Sequence, residues 1–220
     1  MSAVPPAPAA RPAPSFIWPL ALLAVLLATF AVVCIMLLSA ARAYVGGESQ
    51  WSRAQKTATH HLLRYAETRA PQDWDAYHAA IQIPLGDRRA REELDKPEPD
   101  LEVVRAGFLA GANHADDIAG MVRLYRWFRG VPFMARAIAF WTAGDAEIDA
   151  LNAAAAQLHA AVLAGADSQA LQPWREQVRS IDARLTPLEA QFSATLGEAA
   201  RLTQQLLTVA AVLVTALLVG

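Results

Sequence analysis

Three groups of side chains in this sequence have types and spacing suited to chemistry. His114-Ala115-Asp116-Asp117 places an imidazole and two carboxylates at a helix start. Such a set can ligate a metal, or it can cap a helix whose first turn favours acids. No third ligand cluster lies nearby, and no metal is assigned. Arg88-Arg89-Arg91 can clamp an anion, or pair locally with Asp87, Glu92, Glu93 and Asp95, among which it is interleaved. His60 and His61 are adjacent, about 100° apart on a helix, and so cannot share one metal; they read as a solvated face. Trp127, Phe128, Phe133, Phe140 and Trp141 can line a pocket with Arg126 and Arg129 at its rim, or be plain core. The sequence has no Ser/His/Asp constellation, phosphate loop or HExxH run. It therefore offers no catalytic residue and no cofactor site, and the chain as given does not read as an enzyme.

Composition decides where such groups stand. Of 220 residues 55% are apolar and 18% charged, against about 25% charged for a soluble domain. All the charged residues except Arg11 lie between Arg42 and Arg201, so the apolar excess sits at the ends. With Lys and Arg at 19 and Asp and Glu at 21, nothing favours phosphate-backbone binding, which excludes a basic nucleic-acid binder. The single cysteine, Cys34, allows no internal disulfide.

Phe16 to Leu38 is uncharged over twenty-three positions. As a helix it spans ~34 Å, enough for a hydrocarbon core of about 30 Å. Ala41-Arg42-Ala43 has the form of a signal-peptidase site, but the apolar run far exceeds the usual 7 to 15 residues of a leader. An uncleaved transmembrane helix over 16-38 is expected. Ahead of it, residues 1-15 are Pro/Ala-rich and read as a disordered tail whose Arg11 favours the cytoplasm. Residues 202-220 are uncharged, but their uninterrupted apolar part, Leu206 to Gly220, reaches only ~22 Å. They read as the start of a second transmembrane helix, truncated, in the front part of a longer protein.

Between the membrane segments, residues 39-201 lack strand alternation and hairpin turns but carry strong helical periodicity. Trp51, Gln55, Ala58, Leu62 and Tyr65 form one face. Gly46-Gly47 marks a hinge or a close-packing point. Pro71 opens a second helix through Ile81, and Ile83 to Pro99 reads as irregular, broken by Pro84, Gly86, Pro97 and Pro99. Asp100 is an expected N-cap for a helix through Leu109, and Gly111 to His114 a turn before a helix carrying Ile118, Met121 and Tyr125. Ile148, Leu151, Ala155, Leu158 and Val162 form another stripe that Gly165 stops. Leu171, Trp174, Val178, Ile181, Leu185, Leu188 and Phe192 step 3, 4, 3, 4, the seam of a left-handed bundle. Thr186-Pro187-Leu188-Glu189 either restarts that helix or kinks it. The fold class is all-α: a membrane-anchored helical bundle flanked by two transmembrane helices.

Four segments carry a resemblance: Gly46-Gly47-Glu48-Ser49-Gln50-Trp51-Ser52-Arg53-Ala54-Gln55-Lys56, Ile83-Pro84-Leu85-Gly86-Asp87-Arg88, Gly107 to Ile118 (GFLAGANHADDI), and Arg184-Leu185-Thr186-Pro187-Leu188. Together they resemble the extracytoplasmic sensor region of bacterial signalling proteins. In that family the region precedes diguanylate cyclase and phosphodiesterase output domains, or a histidine kinase. Ala112 and Ala115 stand where the family more often has Gly and Pro. The resemblance implies an inner-membrane protein with 39-201 in the periplasm, a homodimer whose bundle senses a small-molecule or protein signal. The expected ligand-binding surface is Asn113, His114, Asp116 and Asp117 with Arg88, Arg89 and Arg91. The other reading of the residues is a structural or adaptor membrane protein whose bundle binds protein partners.

Overall fold

The computed structural model describes residues 17-219; the tail read at 1-15 lies outside the described residues, as do Phe16 and Gly220. Six helices follow one another: α1 (Ile17–Thr68), α2 (Pro71–Leu94), α3 (Leu101–Ala110), α4 (Ala115–Phe128), α5 (Pro132–Leu163) and α6 (Gln172–Val219). The protein is all-α, and no strand occurs among the described residues.

Local chemistry sets the helix ends. Pro71 and Pro132 each sit in a first turn, where a missing N–H costs nothing. Asp100 caps α3 by accepting from the backbone N–H groups of Glu102 (2.9 Å) and Val103 (3.4 Å). After α5 the chain turns through Gly165 at φ +78°, a conformation that favours glycine.

The apolar stripes pack into two cores. The upper one joins Leu62, Tyr65, Tyr77, Ile81, Leu151, Leu158, Val178, Ile181 and Leu185. The lower one joins Tyr44, Leu94, Val104, Phe108, Met121, Tyr125, Trp141 and Leu196. Each fully buried large side chain contributes about 1.5–3 kcal/mol. Long-range pairs fix α6 antiparallel to α1: Arg175 meets Glu67 near one end, and Lys56 meets Asp182 at 2.8 Å further along.

One expectation changes and two open alternatives narrow. Residues 83-94 are not irregular: α2 runs through Pro84 to Leu94. Pro84 costs a helix about 3 kcal/mol, and the helix persists because Tyr77, Ile81, Pro84, Asp87, Ala90, Arg91 and Leu94 form one buried face. Gly46-Gly47 is no break either, since α1 is continuous and Gly47 is a contact point. Nor does α6 restart at Thr186. The Thr186 hydroxyl donates back to the Asp182 carbonyl (2.9 Å) and accepts from Lys56 Nζ (2.7 Å), tying α6 to α1 beside Pro187.

Both long helices are long and apolar enough to cross a membrane at their outer ends. There Leu22, Val25, Ile35, Leu206, Val209 and Val212 are exposed, as lipid-facing side chains are.

Candidate functional site

Between the two cores the helices meet at a buried polar junction. Asp87, halfway down α2, is buried, and its Oδ1 accepts from Asn113 Nδ2 at 2.7 Å. Asn113 stands in the α3–α4 turn, where the same amide also donates to the Phe108 carbonyl at 3.0 Å. Its Oδ1 lies so near α1 that a Cβ on Gly47 would come within 2.7 Å of it. Gly47 is thus small to admit Asn113, which settles the choice between hinge and close packing.

One turn beyond Asp87, Arg91 reaches α5. Its Nη2 and Nε donate to Asp145 Oδ2 at 2.8 and 3.1 Å, and its Nη1 donates to Asp95 Oδ2 at 3.2 Å. Tyr125 of α4 donates to the other Asp95 oxygen at 2.7 Å. The guanidinium carbon lies 5.9 Å from the centroid of the Trp141 ring, within cation–π range. Gly144, next to Asp145, leaves room for the Trp51 ring, which a Cβ there would approach to 3.2 Å. Tyr44, Gly47, Glu48, Trp51, Asp87 and Trp141 border a cavity of about 20 Å³. The junction thereby touches α1, α2, the α3–α4 turn, α4 and α5.

Burial governs its electrostatics. The Asp87 carboxyl is pushed well above the usual carboxylate range by burial, against the Asn113 hydrogen bond and with help from the Asp145 charge. Burial likewise raises Asp145 to about 6, despite Arg91. The geometry explains why pairing loses: both Arg91 donors use Oδ2, and the buried Oδ1 has no hydrogen-bond partner.

A pH dependence follows. Because the folded pKa of Asp145 is raised, the folded state holds that proton more tightly than the unfolded chain. Its contribution to stability is largest below the unfolded value of 3.8 and is lost as pH rises to about 6. The loss is about 3 kcal/mol. Asp87 extends the decline upward. Glu93, held low by Lys96 and the Asp100 N–H, and Asp73, held low by His61, act in the opposite sense, up to their ordinary values of 4.5 and 3.8, and so offset only the lower edge of that window. Thermal unfolding in detergent should therefore show stability falling from pH 4 to 6, with a smaller slope in Asp145→Asn; an identical slope in that variant would remove Asp145 as the cause.

The structure separates the residues expected to form one ligand surface. Asn113 and Arg91 belong to the junction. Arg88 faces outward from it, donating to Asp149 and to Glu92 Oε1 (2.7 Å). Arg89 is exposed with no ion pair among the described residues. His114 is the exposed N-cap of α4, its ring nitrogen accepting from the Asp116 N–H at 3.3 Å, and Asp116 is exposed in the first turn. Asp117 accepts from Arg42 of α1 at 3.0 Å. His60 is exposed, but His61 lies 3.0 Å from Asp73 and is half-buried. Sequence reasoning missed Asp145, one of three acids that α5 carries at Asp145, Glu147 and Asp149, and took Asp87 for a local partner of the arginines.

Fold and junction define a class: an all-helical protein in which two helices fit to cross a membrane also build the core of a bundle around buried charge. No protein-family model, no curated protein and no solved structure matches the chain.

Proposed function

We propose that the chain is the input module of a transmembrane signalling protein. Residues 39-201 stand in the periplasm on a bacterial inner membrane, as part of a homodimer. They detect an extracytoplasmic cue and relay it by helix movement to a cytoplasmic output domain of the cyclic-di-GMP-turnover or histidine-kinase type.

The observation that carries this reading is continuity. α1 and α6 each run as a single helix from the bundle into an apolar end. A displacement of α1 at Gly47, or of α6 at the Lys56 clamp, passes along the helix axis into the span. A cue acts by binding one arrangement of the bundle better than another, and interface shifts of about 1–2 Å suffice for such switches. The junction is the natural place for the bias, because moving Asn113 disturbs α1 and α2 together.

The test joins topology to output. A cytoplasmic kinase or diguanylate cyclase reporter is fused after Gly220 through about six further apolar residues, which carry the ~22 Å segment across the hydrocarbon core, with Cys34→Ser and Glu98→Cys for labelling by a membrane-impermeant thiol reagent. Labelling from outside intact spheroplasts is expected, as is a change of about fivefold in reporter output on Asn113→Ala, the size of a 1 kcal/mol coupling. Labelling only after lysis, or output unmoved by Asn113→Ala, Gly47→Ala and Arg91→Gln alike, would overturn the proposal.

A further inference from the structure

The corner between α4 and α5 lies at the level where the bundle gives way to the apolar ends of α1 and α6. α4 descends along α1: Asp117 pairs with Arg42, the Tyr44 hydroxyl donates to the Met121 carbonyl at 3.0 Å, and Gly120 abuts Ala40. Two further turns carry α4 to Phe128, beside Leu37 of α1. Here a cavity of about 330 Å³ opens, bordered by Leu37, Phe128, Phe133, Leu196, Leu206 and Leu207 among others. Its border is apolar but for the hydroxyls of Tyr44, spent on Met121, and Thr203. Among these side chains only the Thr203 hydroxyl is left for a polar ligand. The size is that of a small-molecule site.

The surroundings name the occupant. Leu37, Leu206 and Leu207 belong to the segments fit to cross a membrane, so the cavity is continuous with the lipid phase. From Arg123 to Arg136 the chain reads RLYRWFRGVPFMAR, four arginines and no acid. Trp127 is 66% exposed on the last turn of α4, as an aromatic at a headgroup boundary is. Arg126 is exposed with no ion pair among the described residues, and Arg129 is exposed with only Asp95, at 4.0 Å. Arg126 and Trp127 stand on the other face of α4, on a second cleft with Arg105 and Arg123, whereas Arg129 directly follows the cavity residue Phe128 at the helix end. Positive charge at this depth suits an anionic phospholipid.

We infer that the α4–α5 corner is a lipid-binding element: the cavity takes an acyl chain of an anionic bilayer phospholipid, and Arg129 meets its phosphate. This rests on the reading that α1 and α6 span a bilayer. The lipid then bridges both spans and the corner, so the composition of the leaflet bears on how the two helices pack.

The full chain is expressed in bacterial membranes, purified in mild detergent, and its retained phospholipid counted by mass spectrometry. About one anionic phospholipid per chain is expected. Ala200→Phe, which fills the cavity from α6, should lower retention about tenfold, the loss when a site can no longer hold two methylenes. Arg129→Gln, at an exposed position whose ion pair with Asp95 is 4.0 Å long, should lower the preference for anionic over zwitterionic lipid in exchange with mixed vesicles. Retention and preference unchanged in both variants would overturn the inference. Alkaline extraction of the same membranes keeps the two failures apart: a chain that stays in the pellet while the lipid result fails leaves the membrane reading standing, and a chain that washes off removes that reading itself.

Discussion

Asp145→Leu lowers the stability of the bundle by about 3–5 kcal/mol at pH 5, the loss expected when a buried charge is left without its partner, and by less at neutral pH, where the ionised Asp145 already costs the fold about 3 kcal/mol. The Arg91 side chain is 7% exposed and that of Asp145 4%, so neither charge has recourse to water. Arginine cannot shed its proton in a protein. With Asp145 gone, the guanidinium keeps the half-exposed Asp95 and the Trp141 ring, and must bear its burial largely unpaired. The reciprocal change is unequal. Arg91→Met leaves an aspartate already poised to protonate near pH 6, so its cost at pH 5 is the smaller of the two. The double variant Arg91→Met with Asp145→Leu removes both charges and should recover most of the loss. Denaturant unfolding at pH 5 and pH 7.5 checks each step. Equal and pH-independent losses from the two single changes would show that the pair is not held as described.

That asymmetry also explains how far the sequence could be read. α1, α5 and the soluble part of α6 were legible because Trp51, Leu62, Leu151, Leu158, Val178 and Ile181 are apolar, recur at helical spacing, and are buried as that spacing requires. The lower half of α2 has the same spacing, but its buried face is Pro84, Gly86, Asp87, Arg91 and Glu93. Proline and glycine argue for a break there, and the charged residues for a solvated face, when hydrophobicity is the only guide. They are tolerated inside because α3, the α3–α4 turn and α5 supply what each lacks: an amide for Asp87, a carboxylate for Arg91, a close-packed backbone for Gly86. Those partners are long-range, and spacing along the chain carries no record of them. Asn113 and Arg91 were picked out by residue type, whereas Asp145, the partner of Arg91, could be found only in three dimensions. The membrane-facing ends were the easiest part to read, because there the signal is the lack of charge and needs no partner at all.

Gly107→Ala and Ala112→Gly, five residues apart, should change stability in opposite directions. A Cβ on Gly107 would lie 2.7 Å from the Ala90 nitrogen and 2.9 Å from the Gly86 carbonyl oxygen, both backbone atoms of α2. Side chains can turn aside, but backbone inside a helix cannot, so α3 must back away from α2. Overpacking of this kind costs about 1–3 kcal/mol, and the face it opens includes fully buried Phe108 and Val104. Gly86→Ala meets the same obstacle from the other side, 2.6 Å from the Gly111 nitrogen. Ala112 presents the reverse situation: it is exposed and holds φ +61°, where an L side chain is strained. Glycine relieves that strain and gives back part of the gain through the greater freedom of the unfolded chain, leaving about 0.5–1 kcal/mol of stabilisation. Both changes act on the segment that presents Asn113 to Asp87 and Gly47. Separating α2 from α3 draws away the amide that holds Asp87 down but also admits water, and because burial is the larger cause of its raised value, Gly107→Ala should bring Asp87 nearer to an ordinary carboxylate. Ala112→Gly leaves the hydrogen bond in place and should not. Unfolding curves for the two variants, with the Asp87 titration followed by carboxyl-sensitive NMR, separate the two effects, and a Gly107→Ala protein as stable as the parent would mean that the helices do not cross at this distance.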